Sequence, residues 1–463
     1  MPPDKAGIIP RLPSTSAPRR LPDTLLKPSP TPRAAPRPSA CPGLWRIVAA
    51  RDGGICRIKL PGGRLLAAQA EAVADAAERY ASGVIEATNR ANLQIRGIGA
   101  QHPALIEHLL AAGLGPREAA GDDVRNLMLS PLAGLDPASV VDVRPLAAQL
   151  LQLLETTPRL HALSAKFAVQ LDGGEDLAML AHPHDLWLSA LTLDGEPWLA
   201  FGLAGCPGED PPLGAVPFDQ GLALVQAVLE RFLDLASPEQ TRMRHLLQTC
   251  PAQTFVADLG LPIRHDAAVL NWRRPASQAR WLGALAQRHG VALGVAPPLG
   301  RLTPDMLRGA AHVARLVGDG SLHLTPWQSL VLPNLDPTQL IDAQAALAEL
   351  GLIDAAQQPL ARLAACTGSS GCARGLADTK ADARLLAGRL HHGVPASVHL
   401  TGCPRSCAMA HVAPATLLAR APGRYDLYLR DARLPGFGRL RACDLTPEEA
   451  GAMLDLPTEH LDD

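Results

Sequence analysis

The chain has 463 residues, of which 47% are hydrophobic, and its 43 Lys and Arg nearly balance its 45 Asp and Glu. This length predicts about three domains, with ample apolar side chains for their cores. The small net charge does not favour nucleic-acid binding, and no apolar run reaches the roughly 18 residues of a membrane span. Nine cysteines are too few for a disulfide framework. We therefore expect a soluble cytoplasmic protein that binds neither nucleic acid nor membrane.

The first segment, residues 1–40, is rich in proline and arginine and contains no apolar period. Such a composition cannot bury enough apolar surface to offset the entropy of ordering the chain. The segment also lacks the uninterrupted apolar stretch of a signal peptide. We predict a disordered tail over residues 1–40.

An internal repeat follows the tail. Residues 58–96 and 295–333 align without a gap, so that Gly63-Arg64-Leu65 recurs as Gly300-Arg301-Leu302 and Thr88 recurs as Thr325. Each copy predicts a strand, a helix and a strand, and Thr303-Pro304 has the pattern of a helix N-cap followed by proline at the first helical position. The spacing is too long for a solenoid and indicates duplicated halves related by a pseudo-two-fold axis.

Two α/β segments complete the predicted organisation. In the first, an Asp-Gly-Gly turn at 172–174 predicts a hairpin of strands 166–171 and 177–180, and helices are expected at 220–236 and 239–247. The second segment carries four cysteines. We expect an α/β fold whose segments are 41–118, 119–250, 251–350 and 351–463, with the first and third forming the repeat.

The four cysteines of the last segment form two clips. Cys366 and Cys372 enclose five residues, and Cys403 and Cys407 enclose three. Four thiolates suit an iron–sulfur cluster or zinc. Structural zinc sites usually pair cysteines two to four residues apart, whereas a [4Fe–4S] cluster is wider than one ion. The spacing therefore favours the cluster, with zinc as the alternative.

Duplicated halves together with these clips resemble the sulfite and nitrite reductase superfamily over nearly all of residues 44–440. The resemblance implies two ferredoxin-like half-domains and a [4Fe–4S] cluster held by Cys366, Cys372, Cys403 and Cys407. It also implies that Cys407 bridges to a sirohaem iron where sirohaem is the cofactor.

The resemblance extends to residues that would bind a macrocycle. The superfamily's Thr-x-Arg-x-x-x-Gln-x-Arg motif appears at residues 88–96, an Arg-Asn pair follows, and its Lys-Phe-Lys strand appears as Lys166-Phe167-Ala168. The implied binding residues are Arg90, Gln94, Arg96, Arg125, Asn126 and Lys166. Because Ala168 replaces a lysine that supplies protons in the reductases, six-electron reduction of sulfite is less favoured.

The residues around the sites resemble those of one branch, the precorrin-3B synthases of aerobic cobalamin biosynthesis. The relevant stretches are Cys-Pro-Gly-Leu-Trp-Arg at 41–46 and Thr-Gly-Cys-Pro-Arg-Ser-Cys-Ala at 401–408. The resemblance implies that molecular oxygen hydroxylates C20 of precorrin-3A, with closure of a lactone. The alternatives are a sirohaem-dependent sulfite or nitrite reductase and a non-catalytic tetrapyrrole-binding protein.

Cofactor and partner expectations follow from that branch. Without a complete nucleotide-binding fingerprint, we expect a ferredoxin or an NAD(P)H-dependent reductase to supply the electrons. A mononuclear non-haem iron accompanies the cluster in the branch, and His182-Pro183-His184-Asp185 is the local sequence that most resembles a two-His, one-carboxylate site. We interpret that sequence as a solvated strand end and assign it no metal. His411 lies near Cys407 in sequence, and no catalytic residue is assigned.

Overall fold

The computed structural model describes residues 41–116, 118–276, 280–391 and 397–455. The tail predicted at 1–40 lies outside the described residues. Within them, no helix is long and apolar enough to cross a membrane.

The two copies of the repeat form two five-stranded antiparallel sheets covered by helices. The first copy contains β1 (Val48–Ala50), β2 (Gly53–Ile58), β3 (Arg64–Leu66), α1 (Ala67–Tyr80), β4 (Val84–Ala87), β5 (Leu93–Ile98) and α2 (His102–Ala111). The segment after it contains β6 (Leu127–Met128), α3 (Arg144–Thr156), β7 (Val169–Asp172), β8 (His184–Leu193), β9 (Glu196–Gly205), β10 (Gly214–Pro217), α4 (Gly221–Leu235), α5 (Met243–Leu246), α6 (Ala252–Ala257) and α7 (Ala267–Leu270). The second copy contains β11 (Gly283–Ala286), β12 (Val291–Val295), β13 (Arg301–Leu302), α8 (Pro304–Val317), β14 (Ser321–Leu324), β15 (Leu330–Leu335) and α9 (Leu340–Glu349).

Each repeat sheet completes itself with a strand from the other copy. The strand orders are β1-β2-β5-β4-β13 and β11-β12-β15-β14-β3. Leu302 of β13 pairs with Ile85, and Leu65 of β3 pairs with Leu322. Helices α1 and α8 pack against each other, and both copies share one apolar core. This reciprocal exchange is the structural form of the predicted pseudo-two-fold duplication.

The repeat extends to unusual backbone conformations. Gly63 and Gly300 have φ angles of 74° and 72°, and Ala91 and Gln328 have φ angles of 53° and 58°. Residues other than glycine rarely adopt positive φ angles. The matching φ angles of the two copies therefore reflect a turn that both copies retain rather than a preference of the individual residues. Thr303 caps α8 by accepting a hydrogen bond from the Met306 N–H, as its sequence predicts.

The two α/β segments also repeat one another. The second contains β16 (Leu363–Ala365), α10 (Thr379–Ala387), β17 (Val398–Thr401), β18 (Ala415–Ala421), β19 (Arg424–Leu429), β20 (Arg439–Leu445) and α11 (Pro447–Leu454). In both sheets, β6–β10 and β16–β20, the first three strands are parallel and the last two are antiparallel. The α/β expectation is therefore confirmed for both halves.

Two local predictions were wrong. Residues 177–180 form no strand, and β7 lies between β6 and β8 with all four of its residues buried. The Asp-Gly-Gly turn is held by the Glu175 carboxylate, which accepts from the Gly173 N–H at 2.8 Å, and not by a hairpin. The second predicted helix is reduced to Met243–Leu246, because Arg242, the residue before it, has an extended backbone and pairs with Asp185.

Candidate active site

The two cysteine clips lie in loops that leave neighbouring parallel strands. Cys366 directly follows β16, and Cys403 follows β17 by one residue, so both clips begin at the same edge of the sheet. The Cys366 Sγ accepts a hydrogen bond from the Gly402 N–H at 3.3 Å, which joins the first clip to the second. The two clips, although separated in the sequence, therefore begin next to each other in the fold.

Glycines let the first clip fold back on itself. Gly368 has a φ angle of 69°, and a Cβ there would lie 2.6 Å from the Ala377 carbonyl oxygen. A Cβ on Gly371 would meet the side chains of Thr367, Asp52 and Arg96 at 2.5–2.8 Å. Both positions thus exclude any larger residue without movement of the loop.

The donor set fits a [4Fe–4S] cluster chemically. All four clip cysteines are free thiols. Burial, and then the charges of Cys366, Cys403 and Cys372, raise the pKa of the Cys407 thiol. Among the described residues, no three His, Cys, Asp or Glu are arranged to hold a single metal ion. The four cysteines are the residues that would hold the cluster.

Cys407 lies on the wall of a large cavity of about 1010 Å³. The first repeat contributes the turn Thr88-Asn89-Arg90, and the first α/β segment contributes Lys166 and His184. The second clip closes the opposite side with Pro404, Arg405 and Ser406. The Asn89 side chain donates to the Cys407 carbonyl at 3.4 Å, so the turn directly contacts the clip.

The cavity wall is positively charged. Among the described lining residues, seven cations outnumber four carboxylates. The cations are Arg57, Arg90, Lys166, Arg242, Arg244, Arg405 and Arg430, and the carboxylates are Asp185, Glu209, Asp210 and Asp431. Asp185 pairs with Arg242, and Glu209 pairs with Arg430. The arrangement favours an anionic occupant.

The turn that begins at Thr88 holds Arg90 in the cavity wall. The Thr88 hydroxyl accepts hydrogen bonds from the Arg90 and Asn92 N–H groups, which fixes the turn. The Arg90 guanidinium has no ion pair among the described residues. Burial, and then the nearby Arg242 charge, lower its pKa to about 10. It remains charged at neutral pH and can bind an anion in the cavity.

Three of the six predicted binding residues line this cavity. They are Arg90, Asn126 and Lys166. Lys166 is exposed and lies in a turn before β7, not at the start of a strand as its sequence predicted. The Asn126 amide donates to the carbonyls of Ala165 and Phe167 at 3.1 and 3.0 Å, so it supports the Lys166 turn.

The other three predicted residues lie behind the wall. Arg96 pairs with Asp52 at 2.8 Å and donates to the Gly371 carbonyl at 3.1 Å, so it supports the first cysteine clip. Arg125 pairs with Glu155 at 2.7 Å. Gln94 lies opposite Arg57 in the sheet, and its amide oxygen, correctly oriented, accepts from that guanidinium at 2.7 Å. A direct binding role for these three stays a prediction.

Most of the lining cations were not found by sequence reasoning. Arg405 had a signal, since it stands inside the second clip, whereas the pairing of Arg57 with Gln94 is visible only in the folded sheet. Arg242, Arg244 and Arg430 had none, because they come from segments distant in the sequence. Cys41 also lines the cavity, and its sequence context does not mark it as a site residue.

The histidines near the cavity are buried, so their interpretation as a solvated strand end was wrong. His182 and His184 are each 2% exposed, and the His184 Nδ1 lies 2.8 Å from the His182 carbonyl oxygen. Burial, followed by the charge of Arg90, lowers the pKa of His184 to about 3. Asp185 does not join them, because its carboxylate binds Arg242 and the Met243 N–H.

Family comparisons agree with this architecture. The nitrite/sulfite reductase ferredoxin-like half domain matches residues 49–112 and 284–350, which are the two repeats. The nitrite and sulphite reductase 4Fe-4S domain matches residues 120–266. The chain belongs to the nitrite and sulfite reductase family. This family consists of oxidoreductases, and its 4Fe-4S domain supports a [4Fe–4S] cluster in this member.

Individual relatives of this family member differ in their activities. It is 32% identical to the chloroplastic ferredoxin–nitrite reductase of Zea mays over 77% of this chain and 68% of the relative. It is 28% identical to the precorrin-3B synthase of a Sinorhizobium species over 86% and 84% of the two chains. The solved structure of Mycobacterium tuberculosis NirA matches with a TM-score of 0.69 at 22% identity, over 87% of this chain and 79% of that one, which shows the shared fold.

Proposed function

We propose that this family member is a precorrin-3B synthase, a monooxygenase that hydroxylates precorrin-3A at C20 with lactone formation. The observation that carries the proposal is the composition of the cavity wall beside Cys407. Among the described residues, six arginines and a single lysine line it. Such a wall suits a substrate with many carboxylates better than a small oxyanion that must receive many protons.

Arginine is the appropriate residue for this task. Its planar guanidinium binds a carboxylate through two parallel hydrogen bonds, whereas lysine acts as a mobile point charge. Arg90, Arg244, Arg405 and Lys166 have no ion-pair partner among the described residues and are available to a ligand. The precorrin macrocycle carries eight carboxylates, and a cavity of about 1010 Å³ is at the upper end of ordinary ligand sites.

Ala168 supports the same choice. It is buried, its N–H donates to the Asp185 carboxylate at 2.9 Å, and it is absent from the described cavity wall. The resemblance implies that the reductases of this family carry a second lysine at this position. In this chain the position therefore offers no ammonium group. Lys166 is left as the single lysine facing the ligand.

Electrons would enter through the cysteine-bearing loops. A [4Fe–4S] cluster on Cys366, Cys372, Cys403 and Cys407 would supply electrons one at a time, as oxygen activation requires. We propose a ferredoxin or an NAD(P)H-dependent reductase in the cytoplasm as the donor. No residues are assigned to a mononuclear iron.

The second candidate is a sirohaem-dependent nitrite or sulfite reductase. It is favoured by the 32% identity to ferredoxin–nitrite reductases and by the position of Cys407, which would let a cluster ligand contact a macrocycle in the same cavity. The two candidates differ in whether the macrocycle in the cavity is substrate or cofactor.

An isotope experiment separates the candidates. The reduced holoprotein is given precorrin-3A and ¹⁸O₂, and the product is analysed by mass spectrometry, with parallel assays of nitrite and sulfite reduction. We expect one labelled oxygen atom in the macrocycle and no reduction of either anion. Unlabelled macrocycle together with rapid nitrite or sulfite reduction would replace the proposal by the second candidate.

A further inference from the structure

A second cavity of about 310 Å³ adjoins the first. Among the described residues, both cavities are lined by the same six, namely Asn89, Ala181, Met409, His411, Val412 and Arg430. Arg430 is paired with Glu209 at 2.8 Å, which leaves His411 as the unpaired titratable side chain of this shared wall. His411 therefore lines both cavities.

Three imidazole nitrogens at and near His411 have no hydrogen-bond partner among the described residues. They are Nδ1 of His182, Nε2 of His399 and Nδ1 of His411, each buried and unpaired among the described residues. The His182 and His411 ring centroids are 5.0 Å apart, and His182 lines the second cavity. Buried polar atoms without partners are rare in folded proteins, and several around one ring call for an explanation.

We propose that His411 transfers protons into the large cavity and is resupplied from the second cavity through His182. The inference rests on the proposed function only in requiring a proton-consuming reaction beside Cys407. Imidazole suits this role because one ring nitrogen can accept a proton while the other donates one. The unpaired Nδ1 atoms of His182 and His411 are the groups between which a proton would pass.

The proton balance is simple. The N–H bond of His411 that faces the large cavity breaks, and its proton goes to an oxygen atom released from reduced dioxygen. The opposite nitrogen takes a proton from His182, which is reprotonated from water in the second cavity. Two electrons from the donor and two protons convert the second oxygen atom to water, so His411 acts twice in each turnover.

The surroundings of His411 suit a transient charge. Among the described residues, the titratable groups near it are His182, His399, the Arg430 cation and the Glu209 carboxylate, and burial lowers the pKa of both histidines, which favours their neutral forms. Burial, and then the Arg430 charge, lower the pKa of His411, while Glu209 opposes the shift. Once protonated, the ring would readily release its proton to the cavity. Ala168 makes such a donor necessary, since no second lysine is available.

Chemical rescue tests the proposal in the holoprotein. A His411→Gly variant removes the ring, and we expect single-turnover product formation to fall about 100-fold, the usual contribution of a positioned acid. Added imidazole should restore at least a tenth of the wild-type rate, whereas a His411→Gln variant should not respond. A His289→Gln variant, at an exposed histidine, serves as the matched control and should behave as wild type.

The outcomes separate this inference from the proposed function. Wild-type rates in both His411 variants would overturn the inference and leave the function intact. So would a loss in His411→Gly that imidazole does not restore although the macrocycle binds normally. If wild type reduces nitrite or sulfite and does not hydroxylate the macrocycle, the function fails. The same variants then test proton transfer in that reduction, since it also consumes protons.

Discussion

The turns at 88–92 and 325–329 have the same backbone and opposite side-chain chemistry. In both, a threonine hydroxyl accepts from the N–H groups two and four residues later. The first turn presents Arg90 to the large cavity, whereas the second presents Trp327, which stacks on Trp281 with the ring centroids 5.4 Å apart. The two copies thus share the turn, and the side chain at one position makes the first turn cationic and the second aromatic.

The α/β segments show the same division. Both sheets have one strand order, yet the loops after β16 and β17 carry cysteine clips, and the corresponding loops after β6 and β7 carry none. One half would hold the redox centre, and both halves line the cavity. The site therefore needs both halves, and changes that act on one half alone can test this division.

The largest expected effect is at the cysteine clips. A Cys372→Ser variant should lose the cluster and at least 100-fold of the activity, because three thiolates do not complete a cubane ligand set. Iron and sulfide analysis with EPR of the reduced protein measures this. Cys443→Ser, at an exposed cysteine outside the clips, is the control and should retain both.

The next largest effect is expected on stability, at a buried ion-pair network where the two halves meet. Buried Glu86 pairs with Arg301 at 2.9 Å and with Lys380 at 3.8 Å, and it accepts from the Thr367 hydroxyl beside Cys366. Glu86→Gln leaves the buried cations uncompensated and should lower the free energy of unfolding by about 3–5 kcal/mol. Denaturant titration would measure the change.

Glu78→Gln provides the matched control for Glu86. Glu78 pairs with Arg308 at the surface between α1 and α8, where an ion pair is worth about 0–1 kcal/mol. Equal losses in the two variants would mean that the buried network does not hold the halves together.

Arg90 tests the division between the turns directly. Arg90→Trp gives the first turn the residue of the second and should weaken macrocycle binding about 10- to 100-fold, since a charged hydrogen bond contributes about 1.5–3 kcal/mol. Fluorescence or absorption titration with the tetrapyrrole measures the affinity. Arg79→Ala, at an exposed arginine of α1 that does not line the cavity, should bind normally. Unchanged affinity in Arg90→Trp would refute the anion role of the turn.

The repeated glycines offer a finer test. A Cβ on Gly63 would lie 2.3 Å from the Leu324 carbonyl oxygen, whereas one on Gly300 would meet the flexible Gln328 side chain at 2.7 Å. Both residues have positive φ angles, so the backbone strain of an alanine is common to the two variants. Because only Gly63 approaches a backbone atom, Gly63→Ala should lower the free energy of unfolding by about 1–2 kcal/mol more than Gly300→Ala. Thermal unfolding of the two variants compares them, and equal destabilisation would show that backbone contact is not the deciding term.

Acid should act on both α/β sheets through one buried histidine in each. Burial is the main cause that lowers the pKa of His184 to about 3 and of His399 to about 4. Below pH about 6.5 the unfolded chain binds protons that these folded rings do not, so stability falls as pH falls. Between pH 6.5 and one pH unit lower, each ring lowers the free energy of unfolding by about 1 kcal/mol. The His399→Gln variant should therefore show a smaller dependence of the free energy of unfolding on pH, measured by denaturant titration at several pH values. An unchanged slope in that variant would contradict the assignment.

Sequence predicted what depends on local pattern and missed what depends on distant contacts. The repeat, the α8 cap and the helix at α1 followed from spacing and capping residues. The false hairpin at 177–180 arose because an Asp-Gly turn does not reveal that β7 is flanked by parallel strands. Arg242 and Arg430 reach the cavity only through tertiary packing, and no short-range signal marks them.

We propose that the cavity beside Cys407 receives a tetrapyrrole as substrate and that the clips hold a cluster. The most direct measurement is an anaerobic absorption and EPR spectrum of the purified protein, with iron, sulfide and extracted sirohaem quantified. We expect one [4Fe–4S] cluster per chain and no sirohaem. Stoichiometric sirohaem coupled to the cluster would contradict it and make the macrocycle a cofactor.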